Sequence, residues 1–105
     1  MQSRDSERVL EYLENYGEVA RKVKEIVLRC DPEAEAYVFG SVLTGKYTAS
    51  SDIDVLVVPE RRDLEYAIKI RVYRELGDAP IELHYADRRS FERRYKRFID
   101  ALERA

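Results

Sequence analysis

The chain has 105 residues, enough for one domain, and 45% of them are hydrophobic, which allows a buried core. Charged residues make up 38%, yet the formal net charge is only −2, so no strong bulk attraction to nucleic acid is expected. The sequence shows no apolar run that could span a bilayer, and residues 1–18 lack the apolar stretch of a signal peptide. Its single cysteine excludes an internal disulfide. We expect one cytoplasmic domain over residues 1–105, acting neither in a membrane nor on nucleic acid.

The first predicted element is a helix over residues 5–30, because apolar residues recur there with a helical period. Gly17 is expected to bend or split this helix. Asp31-Pro32 should end it, since proline disfavours helical geometry in the residue before it. Cys30 is interpreted as a small apolar side chain near the helix end.

Two strands are predicted next, over residues 35–39 and 52–58. A helix over residues 63–76 follows, with Gly77 in the position that a helix C-terminus favours. Residues 81–85 alternate apolar and polar side chains, as in a third strand with Glu82 and His84 on one face. These elements, with a last helix after them, give the order α-β-β-α-β-α.

The last helix is predicted to begin near Ser90, with one apolar face. That face would carry Phe91, Tyr95, Phe98, Ile99 and Leu102. The same stretch is strongly basic from residue 88 to 97, which could attract RNA or an acidic partner. We interpret the arginines as a solvated face instead, because the aromatic residues fall on the apolar side.

Between the first two strands the chain suggests two different nucleotide sites. Gly40, four residues and Gly45-Lys46 match the first part of a phosphate-binding P-loop. That motif requires serine or threonine after the lysine, and Tyr47 stands there. A P-loop lysine also opens a full helix on a parallel sheet, whereas residues 47–51 are typical of a loop. The P-loop interpretation is therefore rejected.

The alternative rests on Asp52 and Asp54, whose carboxylates should emerge on one face of a strand, two residues apart. Ile53, Val55 and Val57 would then point the opposite way, into the core. Two adjacent carboxylates repel each other unless a cation lies between them, and oxygen ligands suit Mg²⁺. A strand with a merely polar solvent face would show the same pattern. Gly40 and Ser41, at the end of the preceding strand, favour the metal interpretation, because glycine lets the backbone approach a phosphate and serine adds a hydroxyl donor.

Gly40-Ser41, ten residues and Asp52-Ile53-Asp54 reproduce the G-S-x10-D-x-D signature of the polymerase-beta-like nucleotidyltransferases. The chain resembles most closely their minimal members, which have about its length. The resemblance extends over essentially all 105 residues and implies an α+β fold of that family, with a small mixed sheet and helices. Lys46 then either meets the triphosphate or is a solvated loop lysine.

The family completes its site with a third acidic residue, usually aspartate, from a later strand. Glu82 is the best match here, because Asp78 lies in a turn and Asp87 lies past the strand end. Glutamate departs from the family pattern by one methylene. His84 shares its face, and we interpret it as a polar strand residue, with a contact to phosphate or acceptor as the alternative.

The resemblance implies transfer of a nucleoside monophosphate, AMP from ATP by preference, to a hydroxyl with release of pyrophosphate. Asp52 and Asp54 would hold one Mg²⁺ and, with Glu82, a second, while Gly40 and Ser41 would bind phosphates. Minimal members are commonly paired with a small helical protein of the HEPN class, a toxin to which they attach AMP as antitoxins. A non-catalytic module that masks a partner protein is the alternative.

Overall fold

The structure is a computed structural model that describes residues 6–95 and 102–104. Five α-helices, four strands and two short turns of other helical types follow one another in this part of the chain. They are α1 (Ser6–Glu14), α2 (Tyr16–Cys30), β1 (Glu35–Phe39), α3 (Ser41–Thr44), β2 (Ile53–Val58), a 3-10 turn (Arg62–Leu64), α4 (Glu65–Leu76), β3 (Ile81–Tyr85), α5 (Arg88–Ser90), a π turn (Phe91–Tyr95) and β4 (Leu102–Arg104).

The strands form one mixed sheet in the order β3-β2-β1-β4. β1 pairs antiparallel with both β2 and β4, whereas β2 and β3 run parallel. The parallel pair requires a crossover connection, which α4 supplies. The predicted α+β class, the small mixed sheet and the order of elements are confirmed.

β2 lies in the middle of the sheet and is buried on both faces. Ile53, Val55 and Val57 are fully buried in a core with α1, α2 and α4, as predicted. Leu56 and Val58 are fully buried on the opposite face, in a smaller cluster that includes Phe91. Full burial of each such side chain stabilises the fold by about 1.5–3 kcal/mol. The central strand is thus held rigidly, and polar groups at its start are held with it.

The first helix is split, as the sequence predicted. The break falls at Asn15, between α1 and α2, and Gly17 lies inside the first turn of α2. α2 ends at Cys30, and the Asp31 carboxylate after it is buried. One oxygen of Asp31 accepts the backbone N–H groups of Glu60 at 2.9 Å and Arg61 at 3.0 Å. Asp31 therefore ties the end of α2 to the loop that follows β2.

The C-terminal part differs from the prediction of one continuous helix. α5 begins at Arg88, two residues before the predicted start, and continues as the π turn. Phe91 is buried and stacks on Tyr37 with ring centroids 4.8 Å apart, which confirms its place in a core. Leu102 pairs with Phe39 in β4, so its predicted place on the helix face is wrong. The side chains of residues 95–101 lie outside the described part.

Gly77 follows α4, as predicted, but with φ −60° and ψ −21° it has right-handed helical geometry, not the left-handed cap that glycine usually supplies there. Within the described residues, no helix is both long enough and apolar enough to traverse a lipid bilayer.

Candidate active site

The polar group of greatest chemical interest lies where β2 and β3 run side by side. Asp54 pairs with Glu82 in the parallel register, and His84 is two residues further along β3. Parallel partners and residues two positions apart share one face of a sheet, so the three side chains emerge together. Each of the three offers one possible ligand atom, a carboxylate oxygen or an imidazole nitrogen, and these three atoms lie within 4.8 Å of one another.

The distances within this group are short. His84 Nε2 lies 3.0 Å from Asp54 Oδ1 and 3.8 Å from Glu82 Oε1. The side chains are 22% exposed for Asp54, 32% for His84 and 55% for Glu82, so solvent reaches the group from the Glu82 side. The ring of Phe39 meets the imidazole edge to face, with centroids 5.0 Å apart. An aromatic ring thus covers one side of the imidazole, and Glu82 lies on the solvent-exposed side of the group.

Gly40 is next to this group because β1 pairs with β2 and Phe39 is opposite Asp54. Gly40 has φ +90°, and a Cβ added to it would lie 2.5 Å from Asp54 Oδ2. Any other residue at this position would displace the Asp54 carboxylate. The sequence explained this glycine by the approach of a phosphate, whereas the structure shows a second reason, the close approach of Asp54.

The segment after Gly40 is a single turn of helix, α3, ended by Gly45 with φ +73°. The Leu43 backbone N–H donates to Gly40 O at 3.1 Å and closes the turn. Ser41 is half-buried at its start, and Lys46 is exposed just after its end. A P-loop would place a full helix after the lysine and a parallel strand beside β1. The structure has neither there, which confirms the rejection of that motif.

Asp52 lies one residue before β2, outside the ladder of strand hydrogen bonds. The pairing with β3 begins at Ile53, whose backbone N–H donates to Pro80 O at 2.6 Å. Asp52 is not part of the group that Asp54 forms with Glu82 and His84. It instead borders an open cavity of about 380 Å³ that Asp78 also lines. Asp52 is therefore not a member of the compact group around Asp54, and joint binding of one metal by the two aspartates stays a prediction.

The two weaker candidates for a third carboxylate have structural partners. Asp78 forms an ion pair with Arg8 at 2.9 Å, which links α1 to the turn after α4. Asp87 caps α5, and its Oδ1 accepts the Ser90 backbone N–H at 2.7 Å. Hydrogen bonds from that N–H and from the Ser90 hydroxyl hold the pKa of Asp87 below its usual range. Glu82 is thus the candidate that meets Asp54.

His84 lies closer to the carboxylates of Asp54 and Glu82 than the sequence indicated. It was interpreted as a polar strand residue, yet its imidazole lies against both carboxylates. The usable signal was the predicted strand itself: a histidine two residues from Glu82 must share its face. What the sequence did not contain was the parallel register, which sets His84 beside Asp54 as well.

Two carboxylates and an imidazole are donors that divalent metal ions take in proteins. The absence of a side chain at Gly40 lets the Asp54 carboxylate keep this position in the group, so the group has the chemistry to bind such an ion. Asp54, Glu82 and His84 are the described residues that could hold it.

The chain is similar to a known domain family and to solved structures. A family model described as nucleotidyltransferase domain matches residues 20–105. The chain is similar to a solved structure described as a "putative nucleotidyltransferase", with 31% identity over 81% of this chain and 95% of that chain, at a TM-score of 0.63. It is also similar to one so described from Sulfolobus solfataricus, with 23% identity over 89% and 84% and a TM-score of 0.57, a likeness of fold alone. No curated protein matches the chain.

Proposed function

Because the chain belongs to the nucleotidyltransferase domain family, we propose that it is a minimal nucleotidyltransferase that moves AMP from ATP to a hydroxyl of a partner protein. The observation that carries this proposal is the group of Asp54, Glu82 and His84 beside Gly40. It combines anionic ligands for a metal with a solvent-exposed carboxylate, that of Glu82.

The residues of the group would divide the work by position. Asp54, fixed at the start of the buried strand β2, would bind a divalent metal, Mg²⁺ by the family resemblance, together with Glu82. Asp52 is retained as a further ligand, and a second ion is part of the proposal. Bound metal would supply positive charge against the triphosphate and lower the pKa of the attacking hydroxyl.

The remaining steps concern the chain's own groups. The Ser41 hydroxyl and the backbone at Gly40 would bind the terminal phosphates, with Lys46 close along the chain to add positive charge. Glu82 is the most exposed member of the group, so an acceptor hydroxyl can reach it and pass its proton to the carboxylate. Attack on the α-phosphorus would then form the new phosphodiester bond and release pyrophosphate. Positioning and charge stabilisation dominate such transfers, so this small set can suffice.

The proposed partner is a small helical protein of the HEPN class, with the chain as its antitoxin. An exposed apolar stripe on α4 supports a protein partner, since Tyr66, Ile70 and Tyr73 are spaced to share one helix face and are 74%, 39% and 39% exposed. The same stripe is the observation that favours the alternative function, a non-catalytic module that masks its partner. The two functions differ in whether the partner gains a nucleotide.

Calorimetric titration of ATP, with and without Mg²⁺, tests the site first. Wild type should bind ATP in a magnesium-dependent manner, and Asp54→Ala should lose that binding. Asp63→Ala is the matched control, because Asp63 is an exposed aspartate paired with Arg61 at 2.8 Å and outside the group. Folded wild type that binds no ATP would argue against catalysis by this chain.

Mass spectrometry of the copurified partner then separates the two functions. A mass gain of one adenylyl group on the partner, absent when Asp54→Ala is coexpressed, supports the transferase. An unmodified partner in a stable complex with both forms supports the masking module.

A further inference from the structure

We propose that His84 is itself a metal ligand and that the site takes a divalent transition metal, with Asp54 and Glu82 as the other protein ligands. This inference deepens the proposed function, on which it rests. It starts from the one donor of the group that is not a carboxylate. Oxygen ligands are what Mg²⁺ prefers, whereas imidazole nitrogen suits transition metals.

The distances in the group fit common ligation. Two ligand atoms at right angles on one ion, each about 2.1 Å from it, lie about 3.0 Å apart. The separation of His84 Nε2 and Asp54 Oδ1 is 3.0 Å. Glu82 Oε1 is 3.8 Å from the same nitrogen, and its longer, half-exposed side chain can close that gap. A single ion can therefore contact all three residues with little movement of the strands.

The environment of the imidazole favours a fixed donor. The Phe39 ring packs against it edge to face, with ring centroids 5.0 Å apart, so one side of the imidazole is already in contact with the protein. Both strands that carry the ligands are paired in register, so Nε2 is presented to Asp54 by the backbone. A restricted side chain loses less conformational entropy when it binds an ion.

The donors that lie together in the structure differ from those that the sequence predicted. Asp52 was predicted to be the second ligand beside Asp54, but it lies before the strand and outside the group. His84 is in the group that Asp52 does not join. The donors that the fold brings within 4.8 Å of one another are one nitrogen and two carboxylates. A nitrogen in the set shifts the metal preference of the site from Mg²⁺ toward Mn²⁺, Co²⁺ or Zn²⁺.

An experiment must distinguish metal binding by His84 from a second role, which is to orient the Asp54 carboxylate. Its ring N–H could instead donate to Asp54 and merely orient the carboxylate, as residues behind metal ligands do. His84→Gln distinguishes the two roles, because the glutamine side-chain amide can still donate an N–H to Asp54 but offers no imidazole nitrogen.

The test uses chelator-treated full chain and Mn²⁺ as the probe. Electron paramagnetic resonance detects coupling between Mn²⁺ and a directly bound ¹⁴N nucleus, and calorimetry gives the affinities for Mn²⁺ and Mg²⁺. Wild type should show the nitrogen coupling, and His84→Gln should lose it together with at least about a tenfold loss of Mn²⁺ affinity. Its Mg²⁺ affinity should change by less than about threefold, because Mg²⁺ gains little from nitrogen.

Three controls and outcomes complete the test. Asp54→Asn should lower the affinities for both Mn²⁺ and Mg²⁺, and Asp63→Asn should lower neither. Circular dichroism verifies that each variant is folded. Absence of nitrogen coupling in wild type, or retained Mn²⁺ affinity in His84→Gln, overturns the inference. Failure of the proposed function looks different: Mn²⁺ would bind through His84 while ATP was neither bound nor consumed.

Discussion

Replacing Gly40 by alanine should destabilise the protein and disrupt the candidate site together. Gly40 has φ +90° and ψ −157°, a backbone conformation nearly restricted to glycine, and holding another residue there costs about 1–3 kcal/mol. The added Cβ would also lie 2.5 Å from Asp54 Oδ2. Because Asp54 is partly exposed, its carboxylate can rotate away from the new methyl group, and that rotation would alter the 3.0 Å contact of Asp54 Oδ1 with His84 Nε2.

Two other glycines separate these effects. Gly45 has φ +73° and nothing within 4 Å of an added Cβ, so Gly45→Ala should carry a backbone cost of about 1–2 kcal/mol without a clash. Gly17 lies in α2 with an equally open surrounding and no positive φ. Alanine is the better helix former, so Gly17→Ala should stabilise the protein by about 0.5–1 kcal/mol.

Urea denaturation followed by far-ultraviolet circular dichroism gives the three unfolding free energies, and Mn²⁺ calorimetry gives the affinities. We expect Gly40→Ala to lose at least as much stability as Gly45→Ala. We also expect it alone to lose metal affinity, by about tenfold or more. If Gly40→Ala keeps both its unfolding free energy within about 0.5 kcal/mol and its Mn²⁺ affinity, the described contact between Gly40 and Asp54 is refuted.

Further predictions concern stability. Asp31→Ala removes a buried carboxylate that accepts two backbone N–H groups and should cost about 2–3 kcal/mol in urea denaturation, whereas Asp63→Ala should stay within about 0.5 kcal/mol. Phe91→Ala should cost about 3–4 kcal/mol because it empties the smaller core; equal loss in the exposed Tyr66→Ala would contradict this. The pKa of Asp87 is lowered in the folded protein by its cap hydrogen bonds. The contribution of Asp87 to the free energy of unfolding is therefore complete above the ordinary aspartate pKa of about 3.9, and it is lost as the pH falls through the lowered pKa. The difference in unfolding free energy between wild type and Asp87→Ala should therefore shrink toward low pH, and a difference that is constant down to pH 2 would contradict this.

The sequence determined the elements and most of their faces, because these depend on local periodicity. Alternation along β2 was enough to assign Ile53, Val55 and Val57 to the main core, and the structure buries all three. Tyr47 in place of serine or threonine was enough to reject the P-loop. The predicted strand over residues 81–85 also favoured Glu82 over Asp78 and Asp87 as the third carboxylate, because Glu82 lies within the strand and the other two lie outside it.

Tertiary structure alone decided which side chains meet. The parallel register of β2 and β3 sets His84 against Asp54, and no local pattern in either strand encodes that register. Asp52 precedes β2 and is not a member of the group of Asp54, Glu82 and His84. Leu102 lies in β4, which pairs with β1, although the apolar periodicity indicated a helix there. Periodicity shows which face of a segment is buried, but it does not show which other segments that face contacts. A site depends on distances between segments, and the pairing of strands that are far apart in the sequence sets those distances.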